Sequence, residues 1–180
     1  MDKEIVCRLI ENKTDVLLDL VEKTYIDSFP SDERRDFSLV RDLIGTGVFK
    51  AHALLMDGRY VGFITSWQWD DFAYIEHFAI DASARNGGIG GQALRLFLNG
   101  LNVPVVLEVE LPEDEMSKRR IGFYRRAGFT PDDHAYRQPP YRCGESWLDM
   151  RLMFYGNIDP EREYETVKHR IYRQVYGVEI

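Results

Sequence analysis

Residues 78–94 read Phe78-Ala79-Ile80-Asp81-Ala82-Ser83-Ala84-Arg85-Asn86-Gly87-Gly88-Ile89-Gly90-Gly91-Gln92-Ala93-Leu94. An apolar strand end gives way to a short polar loop, and glycines stand where an amphipathic helix begins. Glycine tolerates positive φ and lets the backbone approach a ligand closely. The first amides of a helix have no intrahelical acceptor and lie at the positive end of its dipole. A turn of this kind therefore suits an anion, a diphosphate among them. A plain tight turn would use the same glycines. The lysine-serine or lysine-threonine ending of a nucleotide P-loop is missing, and the full dinucleotide fingerprint is not completed.

Working outward, the preceding chain predicts antiparallel strands. Phe49–Met56 meets Asp57-Gly58, a strong hairpin signal, and Arg59–Trp67 returns. Phe72–Ile80 is a third strand, with Tyr74, Glu76 and Phe78 on one face and Ile75, His77 and Ala79 on the other. This hairpin disfavours a doubly wound nucleotide domain. Upstream, Ile5–Ile10 reads as a strand and Thr14 as a helix cap. Leu17, Leu20, Val21, Thr24, Tyr25 and Phe29 make one helical face, and residues 32–44 a second, shorter helix. Downstream, the helix carrying Ala93, Leu94, Phe97, Leu98 and Leu101 leads to a strand at Val105–Val109. A basic helix follows at residues 117–127, then a strand from Phe129, an irregular stretch at 131–144 and a closing strand at 147–154. The tail predicts a helix over 160–176, with Pro160 at its first position and Tyr164, Val167 and Ile171 inward. The expectation is one mixed α/β domain spanning 1–180, with 157–180 as a C-terminal helical extension.

Composition sets outer bounds. The 180 residues are 44% hydrophobic and 29% charged, enough for a substantial core. A net charge of -7 argues against general nucleic-acid binding, which draws its affinity from neutralising phosphates. No run of about 18 apolar residues could span a bilayer. Met1-Asp2-Lys3-Glu4 is not a signal peptide. A cytoplasmic protein without nucleic-acid or membrane partners is expected. Cys7 and Cys143 read as plain thiols, and the scattered histidines 52, 77, 134 and 169 predict no metal.

Arg85-Asn86-Gly87-Gly88-Ile89-Gly90, continued by Ala93 and Leu94, resembles the signature with which the GNAT superfamily of N-acetyltransferases holds the pyrophosphate of acetyl-coenzyme A. Phe123-Tyr124-Arg125-Arg126-Ala127-Gly128-Phe129 is similar to that family's helix-to-strand ending, and the two motifs stand in family order. The resemblance implies a mostly antiparallel central sheet flanked by helices, with the Phe72–Ile80 and Val105–Val109 strands parallel and splayed to form a slot for the pantetheine arm. It implies that the amides of Asn86, Gly87, Gly88, Ile89, Gly90 and Gly91 hold the diphosphate, with Arg85 at the loop's mouth. Backbone groups near Phe78, Ala79 and Ile80 would bond the pantetheine arm, and an amide near Ile80 would polarise the thioester carbonyl.

The implied reaction is direct transfer of acetyl to an amine, which needs a proton acceptor, an oxyanion donor and a proton for the departing sulfur. Glu76 is the candidate base, directly or through water; pairing with an arginine is its structural alternative. Tyr124 is the candidate acid beside the sulfur, with core packing as its alternative. His77 reads as a buried histidine and Cys143 as a structural or exposed thiol. The resemblance implies that one face of the basic helix, Lys118 to Arg126, meets the adenosine phosphate; a solvated helix surface is the alternative for most of it. Trp67, Trp69 and Asp70, with Glu108 on the neighbouring strand, make an acidic and aromatic surface suited to a small cationic amine. A protein N-terminus or lysine is an alternative acceptor, and an inactive acyl-CoA-binding regulatory module an alternative function. Both a homodimer and a monomer fit the sequence.

Overall fold

The computed structural model describes residues 3–179. The chain forms two compact units: one runs up to Trp69 and adds Ile75–Asn102, the other joins Asp70–Tyr74 to the chain from Val103 onward. In the first unit, β1 (Ile5–Ile10), β2 (Phe49–Met56) and β3 (Arg59–Gln68) pair antiparallel, with Cys7 opposite Leu54 and Ala51 opposite Thr65. The β2–β3 turn is the one the sequence announces: Asp57 and Gly58 both have positive φ (51° and 77°), which the right-handed twist of a two-residue hairpin requires. Next to β3 lies β4 (Ala73–Ile80).

Helix α1 (Leu17–Ser28) buries Leu18, Val21, Thr24 and Tyr25. The expected inward face included Leu20, which is 45% exposed, whereas Leu18 is fully buried. Positions 18, 21 and 25 keep the helical period, so the stripe is rotated rather than absent. The cap also differs. Asp15 Oδ1, not Thr14, accepts the Leu17 amide at 2.9 Å, while the Thr14 hydroxyl turns back to Asn12. The expected helix over 32–44 divides into a 3-10 turn at Ser31–Glu33 and α2 at Phe37–Leu43. Tertiary contacts override local propensity at the break. The Tyr25 hydroxyl accepts from the Arg35 amide (3.0 Å) and donates to the Arg35 carbonyl (3.1 Å), between an extended Arg34 and an extended Asp36. Helix α3 (Ile89–Asn99) buries Ile89, Ala93, Leu94, Phe97 and Leu98.

The second unit is built on β8 (Leu148–Tyr155), which pairs antiparallel with β5 (Val105–Glu110), β6 (Thr130–Pro131) and β7 (Tyr136–Gln138). The first residue of β4 joins here, its Ala73 amide donating to the Pro104 carbonyl at 2.9 Å. Strand β6 falls where the sequence predicts a strand from Phe129, whereas β7 lies inside the stretch the sequence leaves irregular. The three-residue β7 alternates buried Tyr136, exposed Arg137 and buried Gln138, a period-two signal too short to read without its partner. Helix α4 (Glu115–Arg126) is capped by Asp114, whose Oδ1 accepts the Ser117 amide at 2.7 Å. Its first turns are tied to β5, because Glu110 accepts from the Ser117 hydroxyl (2.7 Å) and from Arg120 (2.9 Å). Helix α5 (Pro160–Arg170) starts at Pro160 with Asp159 as its cap, and Tyr164, Val167 and Ile171 are buried as expected. Beyond it, Ile171–Val175 widens into a π turn instead of continuing as α-helix.

Candidate active site

The glycine loop lies in the first unit. Asp81 starts it by accepting from the Ser83 amide (3.1 Å) and from Thr24 Oγ1 (2.8 Å), which fixes the loop to α1. Asn86 and Gly88 both have φ of 70°, and Gly88 immediately precedes α3 in the left-handed region without a side-chain cap. Gln92 makes the first intrahelical bond, back to the Gly88 carbonyl (3.3 Å), so the amides of Ile89, Gly90 and Gly91 form the unpaired first turn. A Cβ built on Gly88 or Gly91 meets nothing within 4 Å. Bare amides, a positive helix end and open space beside glycine fit a diphosphate. Arg85 is exposed, but it is also employed structurally, with Nε on the Ile80 carbonyl (3.0 Å) and a second nitrogen on Ser28 (3.3 Å).

The end of β4 presses hard on β3. A Cβ on Gly62 would stand 2.4 Å from the Ala79 carbonyl oxygen, closer than any real contact. Only glycine lets the backbone at Ala79–Ile80 lie where it does. Gly62→Ala is therefore expected to cost about 1–3 kcal/mol, as overpacking against an unyielding neighbour does. Denaturant unfolding of the variant measures it.

Upstream on β4, Glu76 and His77 both reach the segment that follows α1. Glu76 pairs with Arg35, while His77 Nε2 meets the Glu33 carbonyl at 2.8 Å. The His77 amide donates to the Thr65 hydroxyl (3.1 Å) on β3. His77 is buried between Tyr25 (4.9 Å) and Phe29 (4.6 Å), the interior histidine the sequence suggests.

The Glu76 side chain is 1% exposed. Its Oε1 takes Arg35 and its Oε2 takes the Trp67 indole N–H at 3.1 Å. Burial alone would raise its pKa. The Arg35 charge, the neighbouring His77 and the two hydrogen bonds outweigh burial and leave it lowered. Trp67 is itself buried and faces the half-buried Trp69 at 6.3 Å between ring centroids. Trp67, Trp69 and Glu76 thus come together around Arg35, a residue the sequence reading passed over. It sits in the break between two helical segments, where no periodicity marks it.

In the second unit, Tyr124 is buried on α4 between Phe123 (5.2 Å) and Phe129 (5.6 Å). Its hydroxyl hydrogen-bonds to no described residue, and burial pushes its pKa up to about 12. Glu108 is half-buried, accepting from the Tyr136 hydroxyl on one oxygen and the Tyr176 hydroxyl (2.8 Å) on the other. Asp70 is exposed at the start of this unit. Tyr136 lies on β7, whereas Tyr176 comes from the tail and carried no sequence signal.

Against known proteins, the acetyltransferase (GNAT) domain family matches residues 49–131. No curated protein sequence matches the chain. Among solved structures, a Bacteroides thetaiotaomicron protein assigned to the GNAT acetyltransferases is 39% identical, with a TM-score of 0.90, covering 99% of this chain and 100% of its own. Arabidopsis thaliana Naa50, solved with a bisubstrate analogue, is 20% identical with a TM-score of 0.62, over 84% of this chain and 98% of its own. A Bacillus subtilis acetyltransferase solved with CoA is 14% identical with a TM-score of 0.59, over 87% and 100%. The last two share the fold.

Proposed function

Since the chain belongs to the GNAT family of acetyltransferases, we propose that it moves acetyl from acetyl-CoA directly to the primary amine of a small cationic acceptor. One observation carries the reading: the open, glycine-lined first turn of α3, where unpaired amides face space that a side chain would fill. The whole chain then acts as one transferase domain, with residues 157–180 as its extension.

Acetyl-CoA supplies the activated thioester. The amides of Asn86–Gly91 hold its diphosphate, and backbone groups of Phe78, Ala79 and Ile80 hold its pantetheine arm, an amide near Ile80 polarising the carbonyl. Magnitudes then sort the side chains. Proton transfer from an alkylammonium of pKa about 10 to a carboxylate that the Arg35 charge holds below its ordinary range, against the effect of burial, is strongly uphill. Glu76 is thus better suited to fixing Arg35 and Trp67 and to supplying negative charge than to accepting the proton outright. Tyr124, at about 12, is a poor source of a full proton for a thiolate of pKa about 8.5, but it remains a protonated donor at all working pH. Its role is a hydrogen bond to the departing sulfur. Tyr124→Phe should lower kcat about 10–100-fold with little change in the KM for acetyl-CoA.

The test is a thiol-release screen of the purified protein with acetyl-CoA and varied amines. Amine-dependent release supports the reading. Tight acetyl-CoA binding without release from any amine, or release only with peptide N-termini or protein lysines, overturns the small-amine assignment.

A further inference from the structure

Strand β1 is an outermost strand of the sheet, and among the described residues no strand pairs with its outer side. Its one partner sets the direction of its main-chain groups. The Glu4 carbonyl accepts the Asp57 amide at 3.1 Å, so Glu4 turns toward β2, and by the period of two so do Val6, Arg8 and Ile10. The far side of β2 agrees. The Val48 carbonyl takes the Gln68 amide at 2.9 Å, which turns His52 and Leu54 toward β3 and leaves Ala51, Ala53 and Leu55 for β1. The amides and carbonyls of Ile5, Cys7 and Leu9 therefore point away from the sheet.

Natural edge strands are commonly blunted by charges, proline or a bulge. Strand β1 reads Ile5-Val6-Cys7-Arg8-Leu9-Ile10, with a single charge and no proline, and it pairs with β2 without a register shift. Val6 is 45% and Leu9 38% exposed. A cavity of about 430 Å³ adjoins the strand, with Ile5 and Cys7 on one side and Leu96, Phe97 and Leu101 of the α3 region on the other. Apolar surface beside a row of outward main-chain groups is suited to receiving another strand.

The pattern of the strand selects which one. Set antiparallel to itself about Cys7, the edge is self-complementary. Cys7 meets Cys7 of the partner subunit, Ile5 meets Leu9 of the partner subunit, and just beyond them Lys3 meets Glu11 of the partner subunit. Each of these pairs joins residues whose main-chain groups face outward, so each can exchange both hydrogen bonds. A shift by one residue would set outward groups against groups that β2 already uses. Moving the axis to Arg8 sets Ile5 against a glutamate. Moving it to Val6 sets Lys3 against a leucine and offers Glu4 only Arg8, which Asp15 already holds at 3.5 Å.

We propose that β1 is a homodimerisation edge, to which a second copy of the chain adds its own β1 antiparallel with the axis at Cys7. Such pairing is isologous and closes at two copies, so it covers the edge instead of propagating. It stands independently of the acceptor assigned above.

Sedimentation velocity of the full chain tests it. The wild type should sediment as a dimer at about 50 μM, as a micromolar dissociation constant requires. Glu11→Lys brings two lysines together at each end of the pairing and should weaken dimerisation about 10-fold. Adding Lys3→Glu restores opposite charges and should recover it. Leu9→Pro removes an outward-facing amide, a change an edge strand tolerates, and should give a monomer with the far-UV circular dichroism of the wild type. A wild type that stays monomeric at that concentration overturns the proposal, as does a folded Leu9→Pro variant that remains dimeric. A dimer indifferent to Glu11→Lys overturns it as well, and this exposed charge pair decides alone if Leu9→Pro does not fold.

Discussion

Glu76→Ala is expected to destabilise the protein by about 3–5 kcal/mol, the usual cost of leaving one member of a buried ion pair alone. Arg35 would keep its charge, since a guanidinium does not deprotonate in proteins, and it sits beside a side chain that is only 1% exposed. The Trp67 indole N–H would lose its acceptor as well. A pH signature separates this effect from simple loss of volume. Glu76 has a folded pKa below its ordinary 4.5. Its contribution is fully present above that unfolded value and disappears as pH falls through the lowered folded one. Urea unfolding of the wild type should therefore weaken below about pH 4.5, and Glu76→Gln should show a flatter acid limb. An unchanged midpoint for Glu76→Ala at pH 7 would mean that the pair contributes nothing.

Gly88→Val should cut affinity for CoA by about 100-fold. Gly88 holds φ at 70°, where a β-branched residue is strained by about 1–2 kcal/mol, and its missing Cβ leaves the space beside the α3 amides open. Valine would both distort the turn and fill the place a phosphate needs. Gly91→Ala is the stability control. It lies within α3, has free space for a methyl group, and should raise stability by about 0.5–1 kcal/mol through helix propensity. Calorimetric titration with CoA, beside thermal unfolding of each variant, reads affinity apart from fold.

Elements whose signals are local could be read from the sequence. The Asp57-Gly58 hairpin needs only two adjacent residues with positive φ, and Pro160 marks the start of α5 by its own geometry. The glycine loop was legible for the same reason. What escaped was long-range. The Arg35 break depends on a Tyr25 hydroxyl ten residues away and a carboxylate forty-one residues away. The His77 ring meets the Glu33 carbonyl across forty-four residues. Tyr176 meets Glu108 across sixty-eight residues through a π turn that no periodicity announces. Alternation and helical spacing describe isolated elements. They cannot see a side chain from elsewhere that outbids the local pattern.

The central claim is that the main-chain amides opening α3 receive the diphosphate of CoA. Amide chemical shifts of the 15N-labelled protein, followed through a CoA titration, address it residue by residue. The account predicts that Gly88, Ile89, Gly90 and Gly91 shift most and saturate with the binding curve. Saturable CoA binding that leaves those amides unmoved would contradict it.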